Sequence, residues 1–256
     1  MMIYSVKDKS TIAPLFAGWA EACVWSCLQD CQGKAYVSNL TNPKGAKIVL
    51  GDFCCFAGEV DEDLVHHIPA EHTSGFMVMI PQNEQWAKLI EKVWQDKANG
   101  RMRYATKKNP ELFDEAKLQE IVNGLSDEYA IKMIDRELYE QTIASDWAGD
   151  LCGNYSCYEE YQEKGLGVAI IKGQEVVAGA SSFAYYHGGI EIEIDTRADQ
   201  RRKGLASVSG AKLILECLQR DLYPNWDAHS EISLKTAEKL GYELEEEYLA
   251  YDVTTI

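Results

Sequence analysis

The stretch IEIEIDTRADQRRKGLASVSGAKLIL, residues 190–215, decides the fold because it contains a complete strand-to-helix junction. Its first part alternates isoleucine with acidic residues, which predicts a strand with one apolar face and one face of carboxylates. Those carboxylates belong to Glu191, Glu193 and Asp195. Apolar residues at helical spacing then predict a helix over residues 204–220. A dense basic cluster lies between the two elements, so this junction is the first place to look for a bound anion.

The bulk composition indicates a globular protein with a strongly negative field. The chain has 256 residues, 46% of them hydrophobic, and a formal net charge of −16 at pH 7. Such a field repels nucleic acid and anionic membranes and favours a cationic partner or substrate, although acidity also serves solubility alone. The first residues lack a signal-peptide pattern, and no apolar run reaches about 18 residues. We therefore expect a cytoplasmic protein without membrane or nucleic-acid partners, and the oligomeric state, a homodimer included, stays open.

The order of elements predicts two domains of the α/β class. From Tyr129 onward the pattern is β-α-α-β-β-β-α-β-α-β, which is typical of a mixed sheet with helices on its faces. Within it, the Lys-Gly turn at residues 172–173 predicts a hairpin, and Ser230 predicts the start of a capped helix. Turn-forming residues near 125–128 separate this part from the first half. The predicted domains are residues 1–126 and residues 127–256.

The first half carries no motif with a clear chemical meaning. Three cysteines spaced by four lie on one face of a helix predicted over residues 14–32: Cys23, Cys27 and Cys31. Cys54 and Cys55 lie in an apolar run that predicts a buried strand. Burial explains these thiols better than a metal or redox site, because the nearby histidines fit no standard zinc spacing. We expect this half to shape the acceptor side of a site or to be structural.

The basic junction has the chemistry of a phosphate-binding loop. Gly204 permits turn conformations and close backbone approaches that other residues resist. The first N–H groups of the following helix have no partner within the helix, and the helix dipole adds partial positive charge. Side-chain charge for a phosphate comes from three residues, Arg201, Arg202 and Lys203. Ser207 adds a hydroxyl. The alternative is a solvated basic turn that only begins a helix.

This junction also resembles the acyl-CoA loop of a known family. The segment RRKGLA, residues 201–206, matches the Arg/Gln-x-x-Gly-x-Gly/Ala pattern of the GCN5-related N-acetyltransferase (GNAT) family, and it lies between the fourth strand and the third helix as in that family. The segment AEKLGY, residues 237–242, resembles the family's late helix-Gly-aromatic signature. The segments GDFCCFAG and WDAHSEIS resemble a two-domain subgroup that includes the zwittermicin A resistance acetyltransferase.

The resemblance implies a fold, a reaction and a cofactor. It implies a C-terminal GNAT-type acyl-CoA fold preceded by a smaller α/β domain. It also implies transfer of an acetyl group from acetyl-CoA to a primary amine of a small molecule, by direct attack in a ternary complex, in a role like antibiotic resistance. A cationic amine would suit the acidic strand. The residues that it implies for cofactor binding are Ile194, Asp195, Thr196, Arg201, Arg202, Lys203, Gly204, Leu205, Ala206, Ser207, Ser230 and Ser233.

The same resemblance implies that a carboxylate of the central strand acts as general base. Glu191 and Glu193 are the candidates, ahead of Asp195, which lies nearer the cofactor turn. A bulge in the strand would shift its parity, so the sequence does not choose between the two. Backbone N–H groups of residues 194–196 would stabilise the oxyanion. A solvated row of carboxylates without a catalytic role is the alternative.

Two positions depart from the family's pattern and leave the general acid open. Ser230, with His229 beside it, stands where the family frequently has Asn, and Ala237 stands where many members carry a Tyr that protonates the leaving thiolate. The thiolate then leaves unassisted or takes a proton from a tyrosine elsewhere: Tyr242, Tyr248 or Tyr251. His229 has a suitable ordinary pKa, but packing also explains it. The missing Tyr supports a second hypothesis, an acyl-CoA-binding sensor or scaffold without catalysis.

Overall fold

The computed structural model describes residues 2–255 and contains two compact units. The first unit comprises the residues up to Arg103 together with those from Tyr248 onward, and the second comprises Tyr104–Glu247. Within residues 2–255, no helix is both long enough and apolar enough to cross a membrane.

The elements are numbered in chain order. The strands are β1 Tyr4–Ser5, β2 Lys34–Val37, β3 Gly45–Leu50, β4 Phe53–Gly58, β5 Phe76–Pro81, β6 Ala98–Thr106, β7 Ala130–Met133, β8 Gly167–Lys172, β9 Glu175–Tyr186, β10 Gly189–Thr196, β11 Tyr223–Asn225, β12 Asp227–Ala228 and β13 Leu244–Thr254. The α-helices are α1 Ala22–Leu28, α2 Glu62–His66, α3 Glu84–Trp94, α4 Glu115–Asn123, α5 Arg136–Ile143, α6 Tyr158–Lys164, α7 Leu205–Leu218 and α8 Glu231–Lys239.

The first unit is built on a mixed sheet with strands in the order β1-β2-β3-β4-β5-β13-β6. The strands β4 and β5 are parallel, and β13 returns antiparallel to β5. Adjacent residues of a strand face opposite sides, so Cys55 joins a buried cluster with Cys27 of α1, whereas Cys54 joins one with Trp86 of α3. The predicted buried strand around the paired cysteines is confirmed, and apolar burial on both faces stabilises the unit.

The second unit is built on a sheet with strands in the order β7-β8-β9-β10-β11. Only the pair of β10 and β11 is parallel. Helices cover both faces, with α4 and α7 in one core cluster and α5 and α6 in another. The predicted mixed α/β class, the order of elements from Tyr129 and the hairpin at residues 172–173 are all confirmed.

The central strand β10 keeps its alternation despite a bulge. Glu191 lies opposite Ala184 of β9, and Ile192 lies opposite Ser182, so Phe183 is the extra residue. Because the bulge is in β9, the apolar face of β10 is uninterrupted. Ile190 and Ile192 are buried in the cluster with α7, and Ile194 packs against that cluster.

The strand β11 leaves β10 after a short pairing. The parallel register covers residues 189–191 of β10, and its last pair joins Glu191 to Asn225. The strand β10 continues to Thr196. Residues 192–196 therefore extend beyond the partner strand, and the sheet opens along this edge.

The predicted helix over residues 14–32 is wrong in its extent. Only Ala22–Leu28 is α-helical, and Pro14 lies in a separate 3₁₀ turn, Ala13–Phe16. Gly18 has a φ of +80°, a left-handed conformation that stops a helix between the two elements. Cys31 therefore lies beyond α1 rather than on the helix face with Cys23 and Cys27.

The observed division of the chain differs from the predicted boundary between residues 126 and 127. Leu118 of α4 is 1% exposed and belongs to the core cluster of α7 in the second unit. The turn-forming residues after α4 follow the C-cap of that helix, Gly124, within the second unit. The division lies instead between Arg103 and Tyr104, and the end of β13 belongs to the first unit.

Candidate active site

A cleft of about 730 Å³ opens in the second unit beside the free end of β10. Three parts of the chain form its walls: the end of β10, the loop that leads into α7, and the first turns of α8. The lining residues are Ile194, Asp195, Thr196, Gln200, Arg201, Arg202, Gly204, Leu205, Ala206, Ser207, Trp226, His229, Ser230, Ile232, Ser233, Thr236 and Lys239. The cleft therefore brings together nearly all the residues predicted for cofactor binding.

The start of α7 presents free backbone donors to this cleft. Gly204 is the N-cap with a φ of +81°, and Arg202 has a φ of +63°. The first helical hydrogen bond runs from Val208 N to Gly204 O at 3.1 Å, so the N–H groups of residues 205–207 have no acceptor within the helix. No side chain caps this end. Such a loop and helix start favour a bound phosphate.

Two of the three predicted basic side chains face the cleft. Arg201 donates from Nε to Thr196 O at 3.2 Å, which ties the loop to the end of β10. Lys203 does not line the cleft, because its ammonium donates to Gln200 Oε1 at 2.8 Å and to the Tyr129 hydroxyl at 3.4 Å. Of the three predicted basic side chains, Arg201 and Arg202 are therefore the ones that offer positive charge to a ligand in the cleft.

Asp195 is the carboxylate of β10 that lines the cleft. Burial raises the pKa of Asp195 to about 6, and the carboxylate of Asp150 adds to this rise, whereas Arg201 opposes it. Next to it, the Thr196 hydroxyl oxygen is buried and has no hydrogen-bond partner among residues 2–255. A titratable group near neutral pH and an unsatisfied hydroxyl therefore lie together at the sheet opening.

The two glutamates predicted as the base lie outside the cleft lining. Glu191 is 7% exposed and accepts hydrogen bonds from the Asn225 side-chain amide and from Asp227 N, the latter at 3.0 Å. Glu193 is half-buried, and its Oε1 accepts a hydrogen bond from Ile194 N at 3.2 Å. Of the strand's three carboxylates, Asp195 is the one with access to the cleft.

The opposite wall is the first half of α8. Ser230 caps the helix as predicted, because its hydroxyl accepts a hydrogen bond from Ser233 N at 3.3 Å. Sequence reasoning missed the residues that follow on the same face: Ile232, Thr236 and Lys239. Their spacing of four and three is the available signal, since such positions lie on one side of a helix.

The tyrosines considered as general acid are engaged elsewhere. Tyr242 is 3% exposed and donates to Pro224 O at 2.6 Å. In the first unit, Tyr248 accepts from Arg103 Nε at 3.2 Å, and Tyr251 donates to Glu91 at 2.7 Å. No tyrosine belongs to the described lining of the cleft, whereas His229 does.

The first unit contains a second cleft, of about 400 Å³. Its polar side chains bind one another: Glu71 accepts from Lys34 at 2.5 Å and from Tyr36 at 3.0 Å, and Ser74 donates to Asp52 at 2.9 Å. Within residues 2–255, no three His, Cys, Asp or Glu side chains are grouped to hold a metal ion. These polar groups of the second cleft already have partners, whereas the start of α7 offers N–H donors to a ligand.

Comparison with known proteins identifies the class of protein that combines this open sheet with an uncapped, basic helix start. Residues 13–251 match the GNAT acetyltransferase family. The chain belongs to this family, as its junction predicted.

Individual relatives cover nearly the whole chain. The uncharacterized N-acetyltransferase YdfB of Bacillus subtilis strain 168 is 26% identical over 96% of this chain and 95% of its own length. The crystal structure of a GCN5-related N-acetyltransferase-like protein from Streptococcus suis 89/1591 is 44% identical, with a TM-score of 0.91 over 96% of this chain and 98% of that one. A tandem GNAT protein from the clavulanic acid biosynthesis pathway is 9% identical, with a TM-score of 0.57 over 100% of this chain and 98% of that one, and shares the fold alone.

Proposed function

We propose that this acetyltransferase transfers the acetyl group of acetyl-CoA to a primary amine of a small molecule, by direct attack in a ternary complex. The observation that carries the proposal is one continuous cleft. It joins the uncapped, basic start of α7 to the end of β10 that extends beyond β11, where Asp195 lies. Anion binding and proton acceptance are thus available within a single site.

The donor half of the proposal rests on the loop and on the edge of β10. CoA phosphates would accept hydrogen bonds from the N–H groups of residues 205–207, with charge from Arg201 and Arg202. The backbone of residues 194–196, beyond the pairing with β11, offers groups for the amides of the pantetheine arm. The net charge of −16 repels anions elsewhere, so this local concentration of donors sets the position of the cofactor.

Asp195 is the base in this proposal, and Glu193 is the second candidate. A base works best when its pKa lies near the working pH, and the pKa of Asp195 at about 6 meets that condition. Its carboxylate would take a proton from an arriving ammonium, directly or through a water. The neutral amine then attacks the thioester carbonyl, the C–N bond forms, and the C–S bond breaks as the CoA thiolate leaves.

The acceptor is proposed to be cationic before it reacts. The acidic field of the chain attracts such a molecule, and the Asp150 carboxylate lies close enough to Asp195 to raise the pKa of Asp195. His229 lines the cleft, and its imidazole is the group proposed to protonate the thiolate. An antibiotic amine, a polyamine and a metabolite amine all satisfy this chemistry.

The test is an acceptor screen at saturating acetyl-CoA, with thiol release as the readout and mass spectrometry of the product. We expect amine-dependent release and an acceptor heavier by one acetyl group. The alternative, an acyl-CoA sensor or scaffold, is favoured by the absence of a tyrosine from the described cleft lining. Saturable CoA binding without turnover of any amine would support the sensor, and the absence of CoA binding would defeat both proposals.

A further inference from the structure

Glu191 lies where β11 separates from β10. It is the last residue of β10 to pair with β11, and its side chain is buried, at 7% exposure for the residue. Beyond it, β10 continues along the cleft to Thr196. A buried carboxylate is strongly destabilising unless hydrogen bonds compensate its lost hydration, so its partners indicate what this position is for.

Both oxygens of this carboxylate bind the departing strand. The Asn225 side-chain amide donates to Oε2, and Asp227 N donates to Oε1 at 3.0 Å. One side chain therefore holds the chain at two points, on either side of Trp226. Hydrogen bonds to an ionised carboxylate are about twice as strong as neutral ones, so this attachment resists movement of the segment between them.

The residue held between these two points forms part of the cleft wall. Trp226 is 5% exposed, lines the cleft, and donates from Nε1 to Ser233 Oγ at 3.1 Å. Ser233 lies in the first turn of α8 and also lines the cleft. Contacts thus run without interruption from the buried Glu191 carboxylate to the end of α8 that faces the cleft.

We propose that Glu191 is a positioning residue rather than the base: its carboxylate ties Asn225 and Asp227 to the end of the β10–β11 pairing and so fixes Trp226 and the start of α8 as one wall of the acyl-CoA cleft. The inference rests on the proposed function only in taking acyl-CoA as the ligand of this cleft. Proton transfer belongs to another carboxylate.

The test exchanges donor and acceptor between two side chains. In Glu191→Gln, the side chain keeps one oxygen acceptor and gains an NH₂ donor. That NH₂ group faces either the Asn225 amide or Asp227 N, which are both donors, so one of the two hydrogen bonds is lost. In Asn225→Asp, two carboxylates face each other. The double variant restores both bonds, because Gln at position 191 donates to Asp at position 225 and still accepts from Asp227 N. Its net charge equals that of the natural chain.

The readouts are CoA affinity by calorimetry, without acceptor, and hydrogen exchange at the Asp227 amide. Each single variant is expected to weaken CoA binding by about tenfold and to speed exchange, and the double variant to return affinity to within about threefold of the natural chain. Glu163→Gln, which removes an exposed charge on α6, is the matched control and is expected to change neither.

A different pattern would overturn the inference: unchanged CoA affinity and unchanged exchange in Glu191→Gln, with turnover lost together with its dependence on pH, would identify Glu191 as the base. Failure of the double variant to restore binding, although folded by circular dichroism, also counts against it. If the Glu191 variants do not fold, Asn225→Ala removes one bond and must show the same two effects. Hydrogen exchange at the Asp227 amide needs neither CoA nor turnover. It therefore tests the positioning role of Glu191 even if the proposed acetyl-transfer function fails.

Discussion

The two units follow the same order of elements and differ in how one helix begins. Each has three antiparallel strands, a helix, a strand parallel to the third, and a further helix: β2-β3-β4-α2-β5-α3 in the first unit and β8-β9-β10-α7-β11-α8 in the second, where the two-residue strand β12 intervenes before α8. The helix α2 is capped by its own chain, since the Asp61 side chain accepts from Asp63 N at 2.9 Å and from Leu64 N at 3.4 Å. The helix α7 begins at Gly204 without a capping side chain.

The parallel strand pairs β4–β5 and β10–β11 also differ, because only the first pair stays bonded at its end. In the first unit, Gln82 N donates to Phe56 O at 3.0 Å, so the chain stays bonded to β4 past the end of β5. In the second, Asp227 N donates to the Glu191 side chain, and the strands part. The comparison teaches that topology alone does not make an anion site. In the first unit, the Asp61 cap and the continued pairing of β4 leave no site for an anion. In the second, Gly204 and the parted strands leave one open, so we expect one acyl-CoA per chain.

The strongest test of this difference places a negative charge at the open helix start. Gly204→Glu is expected to weaken CoA binding by about 100-fold, because the carboxylate caps the helix and repels phosphates. Calorimetry with CoA measures the loss. Gly173→Glu is the matched control, since Gly173 also has a positive φ, +66°, and open space around its Cβ position. Equal losses in both variants would mean that backbone strain, not the anion site, is responsible.

The next test asks whether the open cleft carries the chemistry. In the natural chain, kcat/KM is expected to rise with pH through about 6 as Asp195 loses its proton. Asp195→Asn is expected to lower kcat about 100-fold and to remove this rise. Since burial raises the pKa of Asp195, its charge destabilises the fold at higher pH, and the variant is expected to melt at a higher temperature than the natural chain at pH 8. A pH dependence lost in Glu193→Gln instead would make Glu193 the base.

A third test concerns the first unit, where a lysine is buried. Lys47 of β3 is 0% exposed, and its ammonium donates to His67 O. Burial lowers the pKa of Lys47, so unfolding takes up a proton below the ordinary lysine pKa, and stability contributed by this residue grows as pH rises. Between pH 7 and pH 9.5, the unfolding free energy of the natural chain is therefore expected to increase relative to that of Lys47→Met. Urea titrations check this, with the exposed Lys44→Met as a control without such a shift.

The smallest expected effect comes from removing the cap of α2. Asp61→Ala is expected to destabilise the first unit by about 1 kcal/mol, measured by urea unfolding. The CoA stoichiometry is expected to stay at one per chain, because Glu62 and Asp63 still repel phosphate from this helix start. A second equivalent of bound CoA in this variant would show that the Asp61 cap is the only feature that prevents the start of α2 from binding CoA.

The parts of the fold predicted from sequence are those in which neighbours in space are neighbours in the chain. The β10–α7 junction and the Ser230 cap depend on local residues, and both are present as expected. The role of Glu191 depends on partners 34 and 36 residues further along, which no local pattern shows. Lys203 likewise turns toward Tyr129, 74 residues earlier. Basic and acidic side chains could be located in the sequence, but the direction in which they point required the tertiary structure.

The return of β13 to the first unit governs how the chain is completed during synthesis. Residues 104–247 form one contiguous segment and can fold as soon as they emerge. The first unit begins earlier but finishes later, because Tyr251 and Val253, at 2% and 0% exposure, lie in its core and follow the second unit in the chain. Until then β5 has an open edge. During synthesis the first unit therefore has an exposed strand edge until the residues that follow the second unit have been translated.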